Sequence, residues 1–127
     1  VEGPEGEWFL AAAWQLEPGD AEAGQRAIRQ LLDRRSATQP TQQPSCGSVF
    51  RNPGGDYAAR LIEAAGLKGR RLGGAQVSEK HANFIVNVGG AKAVEIEALM
   101  EAVREAVAER FGVHLRSEVH IIGEAEE

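Results

Sequence analysis

The sequence predicts an α+β fold in one domain, with a small, mostly antiparallel sheet packed against helices. Two observations lead there. Apolar runs and helical stripes follow one another in the order strand, helix, loop, helix, strand, helix, strand, with no internal repeat. The length of 127 residues with 43% hydrophobic content fills one useful core and leaves two cores marginal.

The first expected element is a buried strand from Trp8 to Leu16, an apolar, aromatic-rich run closed by Pro18-Gly19. Asp20 is placed to cap a helix whose Ala27, Ile28, Leu31 and Leu32 share one face while Arg29, Asp33, Arg34 and Arg35 share the other, ending near Ser36. Residues 36–47, with two prolines and many small polar residues, are expected to run as an extended surface loop. Asp56 then caps a short helix carrying Ala58, Leu61, Ile62 and Ala65, which Gly66 terminates. Asn83 to Val88 is β-branched and partly alternating, hence a strand. The longest helix shows Ile96, Leu99, Met100, Val103, Val107 and Phe111 as its stripe and stops at Gly112, and Glu118 to Ile122 is expected as a last strand.

Composition narrows the function. Nineteen acidic against fourteen basic residues, a net charge of −5, argue against nucleic acid or an anionic membrane as the main partner. No apolar stretch is long enough for a membrane helix, and the acidic, turn-rich start Val1–Gly6 lacks the features of a signal peptide. The single Cys46 allows no intrachain disulfide and fits a reducing, cytoplasmic setting. His81, His114 and His120 do not follow metal-ligand spacing, so no metal is expected. A start at valine, with an apolar segment close behind it, suggests a piece of a longer chain.

Two clusters could carry chemistry. In Pro44–Pro53 small residues allow close approach while Ser48, Arg51 and Asn52 offer a hydroxyl, a guanidinium and an amide. The same residues also serve simple turn formation, and from composition alone that reading is the stronger. Gly69–Asn83 sets backbone amides beside cations and could hold a diphosphate, yet it matches no phosphate-binding fingerprint and reads equally well as a glycine-rich bend. Glu118 opens an apolar segment at the edge of a core, where its ionisation could be tuned, although water-facing glutamates on strand edges are common.

Taken together, GSVFRNP at 47–53, AARLIEAAGLKG at 58–69, GGAQVSEKHANFIVN at 73–87 and SEVHIIGE at 117–124 resemble, in order and spacing, consecutive blocks of the UDP-N-acetylenolpyruvoylglucosamine reductase family. The similarity covers about residues 36–124 and is closest to the shorter form, whose substrate domain lacks an inserted tyrosine-bearing loop. WFLAAAWQLEPGD at 8–20 resembles the strand that leaves the family's flavin domain. The resemblance implies that residues 1–19 are the tail of a flavin-binding domain or a connector and that 20–127 form a C-terminal substrate-binding domain. In that family NADPH reduces FAD, and the flavin passes hydride to the methylene carbon of enolpyruvyl-UDP-N-acetylglucosamine, giving UDP-N-acetylmuramate for peptidoglycan. The resemblance further implies that Ser48 protonates the resulting enolate carbon, that Glu118 stabilises the enolic intermediate, and that Asn52, Arg51, Lys80, His81 and Asn83 contact the sugar nucleotide. It assigns no flavin contact to this chain, which is expected to be inactive without the flavin domain of the same protein. A stand-alone sugar-nucleotide-binding module and a ligand-free regulatory domain are the competing readings; the latter leaves the joint match of four blocks unexplained.

Overall fold

A computed structural model describes residues 8–123, so the acidic lead Val1–Gly6 lies outside the described residues. Among the described residues three helices and four strands succeed one another in the order α1 (Ala21–Thr38), β1 (Ser45–Ser48), α2 (Ala58–Ala64), β2 (Arg71–Leu72), β3 (Ala75–Val77), β4 (Phe84–Asn87) and α3 (Ala93–Phe111). The strands form one antiparallel sheet in the order β1-β4-β3-β2, in agreement with the expected α+β class.

The three helices form where the sequence places them. Asp20 caps α1, its Oδ1 accepting from the backbone N–H groups of Glu22 (2.9 Å) and Ala23 (3.3 Å). In α3 the stripe Leu99, Met100, Val103 and Val107 is buried, and Gly112 ends the helix in the left-handed conformation (φ 66°). In α2, Ala58, Leu61 and Ile62 are buried and join α3, β3 and Val49-Phe50 in one core. Asp56, however, does not cap α2. The first helical amide, Ala58, donates instead to Asn52 Oδ1 at 3.0 Å, and Asp56 binds the Tyr57 amide and the Arg60 guanidinium. That pairing holds the Asp56 carboxyl at about 2, chiefly through the Arg60 hydrogen bond.

The strands depart further from expectation. Trp8 to Leu16 forms no strand: Trp8, Phe9, Leu10, Trp14 and Leu16 are all more than four-fifths exposed. A strand needs a sheet edge to satisfy its backbone, and among the described residues none meets this segment. The expected last strand, Glu118 to Ile122, does not form; the segment just before it makes one bridge, between Phe50 and Ser117. In return, the end of the supposed surface loop supplies β1, and Gly73-Gly74 turns a β2–β3 hairpin that no apolar alternation announced.

That hairpin is fastened to α3 by one carboxylate oxygen. Glu95 Oε2 accepts from the amides of Lys92 (3.0 Å), at the helix start, and Gly74 (3.1 Å), in the turn. The two amides lower the Glu95 pKa, Lys92 contributing more. Gly74 is required for close approach: a Cβ there would lie 2.4 Å from the Ala91 nitrogen and 2.5 Å from the Gly89 oxygen, both backbone atoms that cannot swing aside. Gly74→Ala should therefore destabilise the fold by about 1–3 kcal/mol, read as a lower urea midpoint with an unchanged slope.

Candidate functional site

β1 reaches the sheet through an irregularity. Ser45 pairs with Val86 and Ser48 with Phe84, so β1 carries one residue more than β4 between the two pairs. This is a bulge, and Gly47 within it has φ 83°, a conformation that costs a side-chain-bearing residue about 1–2 kcal/mol. A bulge bends its strand and re-aims the neighbouring side chain, here that of Ser48.

Beyond Ser48 the chain is gripped by Asn83. Its side chain accepts from the Phe50 N–H (Oδ1, 3.0 Å) and donates to the Phe50 carbonyl (Nδ2, 2.8 Å), while its backbone carbonyl accepts from Val49 (2.9 Å). Asn83 is 4% exposed, so these bonds are shielded from water. On its other edge the same stretch pairs with the C-terminal segment: Arg51 N–H donates to the Arg116 carbonyl (2.9 Å) and Glu118 N–H to the Val49 carbonyl (2.8 Å). Ser117 Oγ donates to the Val119 carbonyl (2.7 Å), fixing the chain just past Glu118.

This pairing brings Ser48 and Glu118, far apart in sequence, to one open depression of about 500 Å3, completed by Cys46, Val119 and His120. Burial pushes the Cys46 thiol pKa up, against a smaller opposing effect of its backbone hydrogen bond, so it remains a thiol at neutral pH and makes a poor nucleophile. Among the described residues no group of three potential ligands could hold a metal, and no helix is long and apolar enough to cross a membrane.

The other expected site residues are distributed around this depression. Arg51 and Asn52 line a separate recess of about 370 Å3 with His114 and Arg116. Lys80 lines a third, with Gln76, Ser78 and Glu79, and its Nζ donates to the Ser36 carbonyl. The Ser78 hydroxyl accepts from the Lys80 and His81 amides (3.1 and 3.3 Å), which shapes the β3–β4 loop. His81 packs edge-on against Phe84 with ring centroids 4.8 Å apart. Its Nδ1 is buried without a hydrogen-bond partner among the described residues. The Asn83 amide is spent on Phe50 and so holds the motif rather than presenting a free group. Sequence reasoning gave Arg116 no role and read His114 as a surface or hydrogen-bonded histidine rather than a metal ligand; the opposed register with Arg51 that brings them to one recess is a tertiary property. It also passed over Lys68, whose charge is felt at His81.

Burial, reinforced by Lys68 and opposed by the His81 backbone hydrogen bond and Glu63, lowers the His81 pKa below 6.5. Because the unfolded chain then binds the proton first, stability is full above the unfolded value and falls as pH drops through 6.5 towards the folded pKa. In an NMR titration His81 should give a midpoint below that of a free histidine. Asn83→Ala should cost about 1–3 kcal/mol in urea unfolding, because it leaves the buried Phe50 amide and carbonyl unpaired.

Comparison with known proteins shows the family of the chain. The family described as UDP-N-acetylenolpyruvoylglucosamine reductase, C-terminal domain, matches residues 39–122. The UDP-N-acetylenolpyruvoylglucosamine reductases of Alkalilimnicola ehrlichii and Methylococcus capsulatus are each 66% identical over 126 residues, covering 99% of this chain and 42% and 41% of the relative. The chain thus spans about two fifths of the length of these curated relatives. The crystal structure of the reductase from Thermus caldophilus superposes with a TM-score of 0.69 at 36% identity, over 84% of this chain and 37% of that one. The depression shared by Ser48 and Glu118 therefore sits in a chain that belongs to the UDP-N-acetylenolpyruvoylglucosamine reductase family, to which it contributes the C-terminal domain.

Proposed function

We propose that this chain is the substrate-binding and proton-donating domain of an FAD- and NADPH-dependent reductase that turns enolpyruvyl-UDP-N-acetylglucosamine into UDP-N-acetylmuramate for cell-wall peptidoglycan in the cytoplasm. The observation that carries the reading is the meeting of Ser48 and Glu118 at one open depression. The names of the curated relatives support the reaction class.

Reduction of the enolpyruvyl double bond adds a hydride at one carbon and a proton at the other. The chain's own residues serve the proton. Ser48 gives its hydroxyl proton to the carbon next to the carboxylate, where the enolate is basic enough to take it from a well-placed alcohol. Glu118 shares a proton with the developing enolate oxygen, an interaction stronger in the transition state than in the ground state. Arg51, Asn52, Lys80 and His81 contact the sugar nucleotide, and Asn83 positions the motif from beneath.

FAD supplies the hydride chemistry when bound, but the residues here do not fit it. Among the described residues only five line this open depression, too few to enclose an isoalloxazine ring and its diphosphate tail. The flavin is carried by another part of the longer protein, which is also the partner this chain faces. Exposed apolar surface supports that partner: α1 buries no residue, Ile28, Leu31 and Leu32 are more than half exposed, and the aromatic run before α1 is bare. We place residues 8–19 with that flavin-binding part or in the connector, and the substrate domain after them.

In the intact protein, Ser48→Ala should slow reoxidation of the reduced flavin by enolpyruvyl-UDP-N-acetylglucosamine by about 10²–10⁴-fold, while NADPH still reduces the flavin at nearly the parent rate. Stopped-flow absorbance of the two half-reactions checks this. Equal losses in both would point to a structural defect and sink the proton-donor role. The 127-residue chain by itself should purify without flavin; stoichiometric yellow cofactor would overturn the division of labour.

A further inference from the structure

The proposed proton chemistry leaves one basic side chain of its own depression without a task. His120 lines it with Cys46, Ser48, Glu118 and Val119. The same histidine borders a neighbouring, mainly apolar groove of about 490 Å3, to which Ile96, Met100, Ile121 and Ile122 contribute. Its place follows from how the C-terminal segment is held. The Glu118 N–H donates to the Val49 carbonyl, Ser117 Oγ donates to the Val119 carbonyl, and Val119 packs against the core. With Val119 turned inward, Glu118 and His120 flank it as exposed residues, and both reach the depression.

Charge decides what His120 is for. The proposed reaction sets a carbon of the substrate beside the Ser48 hydroxyl, and that carbon carries a carboxylate one bond away. The carboxylate therefore enters the same depression, where Glu118 is acidic and burial keeps Cys46 a neutral thiol. The net charge of −5 on the chain adds to what an incoming anion must overcome. Of the five residues lining the depression, His120 alone can offer a cationic hydrogen-bond donor, and the adjoining groove brings no lysine or arginine among the described residues. Resting on the reductase reading, we infer that His120 is the residue of this chain that binds the substrate's carboxylate. A ring N–H donates to a carboxylate oxygen, and the site thereby selects a carboxylate-bearing enol ether over a neutral one. His120 exchanges no proton with the reacting carbon; it holds the group next to that carbon and so fixes the carbon against Ser48.

The test measures equilibrium binding to the intact oxidised enzyme by isothermal titration calorimetry. Two compounds are compared: enolpyruvyl-UDP-N-acetylglucosamine and its analogue with a neutral carboxamide in place of the carboxylate. Without NADPH neither is turned over. The parent should bind the carboxylate about tenfold or more tighter than the carboxamide. His120→Gln should bring the two within about twofold of each other, chiefly by weakening carboxylate binding. His120→Arg, which keeps a cationic donor, should restore most of the difference. A urea midpoint equal to the parent's shows that each variant is folded. The inference is overturned if folded His120→Gln keeps the parent's discrimination, if it loses affinity equally for both compounds, or if the parent does not tell them apart. Failure of the reductase reading looks different: the parent's reduced flavin would then not be reoxidised by the enolpyruvyl compound. Failure of the His120 role leaves that reaction intact and removes only the carboxylate discrimination.

Discussion

The arrangement of this domain depends on the buried amide of Asn83. One side chain closes two hydrogen bonds on the backbone of Phe50, donating to its carbonyl and accepting from its N–H, while the Asn83 carbonyl takes the Val49 amide. These groups are out of water, where an unmade hydrogen bond costs about 1–3 kcal/mol, so the segment has little freedom to slip. With Phe50 fixed, Val49 and Phe50 both enter the core, at 1% exposure each, and the outer edge of the same segment is left to pair with Arg116 and Glu118.

The proposed function depends on that placement. β1 alone would continue along β4 and keep a strict alternation of faces, but the extra residue at the bulge breaks it just before Ser48. The C-terminal segment, docked on the other edge, then brings Glu118 to Ser48 on one side and Arg116 to Arg51 on the other. One short backbone stretch, clamped from β4, thereby organises both the depression of the proposed chemistry and the cationic recess beside it.

The rest of the fold gives that stretch a rigid base. α3 lays Leu99, Val103 and Val107 against the sheet and is tied to the β2–β3 turn through Glu95, while Asn52 holds the first turn of α2. α1 contrasts with these elements, since its sequence is amphipathic yet none of its residues is buried. Its stripe satisfies the local rule for a helix but meets no apolar cover among the described residues, and the curated relatives are more than twice as long as this chain.

The sequence by itself determined the three helices, because capping residues, helical spacing and terminating glycines act within a few residues: Asp20, the Leu99–Val107 stripe, Gly66 and Gly112 all behave as local chemistry requires. The blocks around Ser48, Asn83 and Glu118 were legible as motifs. Tertiary structure decided the strands and the roles of the polar residues. Trp8 to Leu16 has strand composition but meets no sheet edge among the described residues, Gly73-Gly74 forms a hairpin only because Glu95 and the Ala91 backbone receive it, and Asn83, outwardly a ligand contact, is spent on Phe50. The physical reason is that a helix closes its hydrogen bonds within its own segment, whereas a strand, a clamp or a site exists only where distant backbone supplies the other half of each bond.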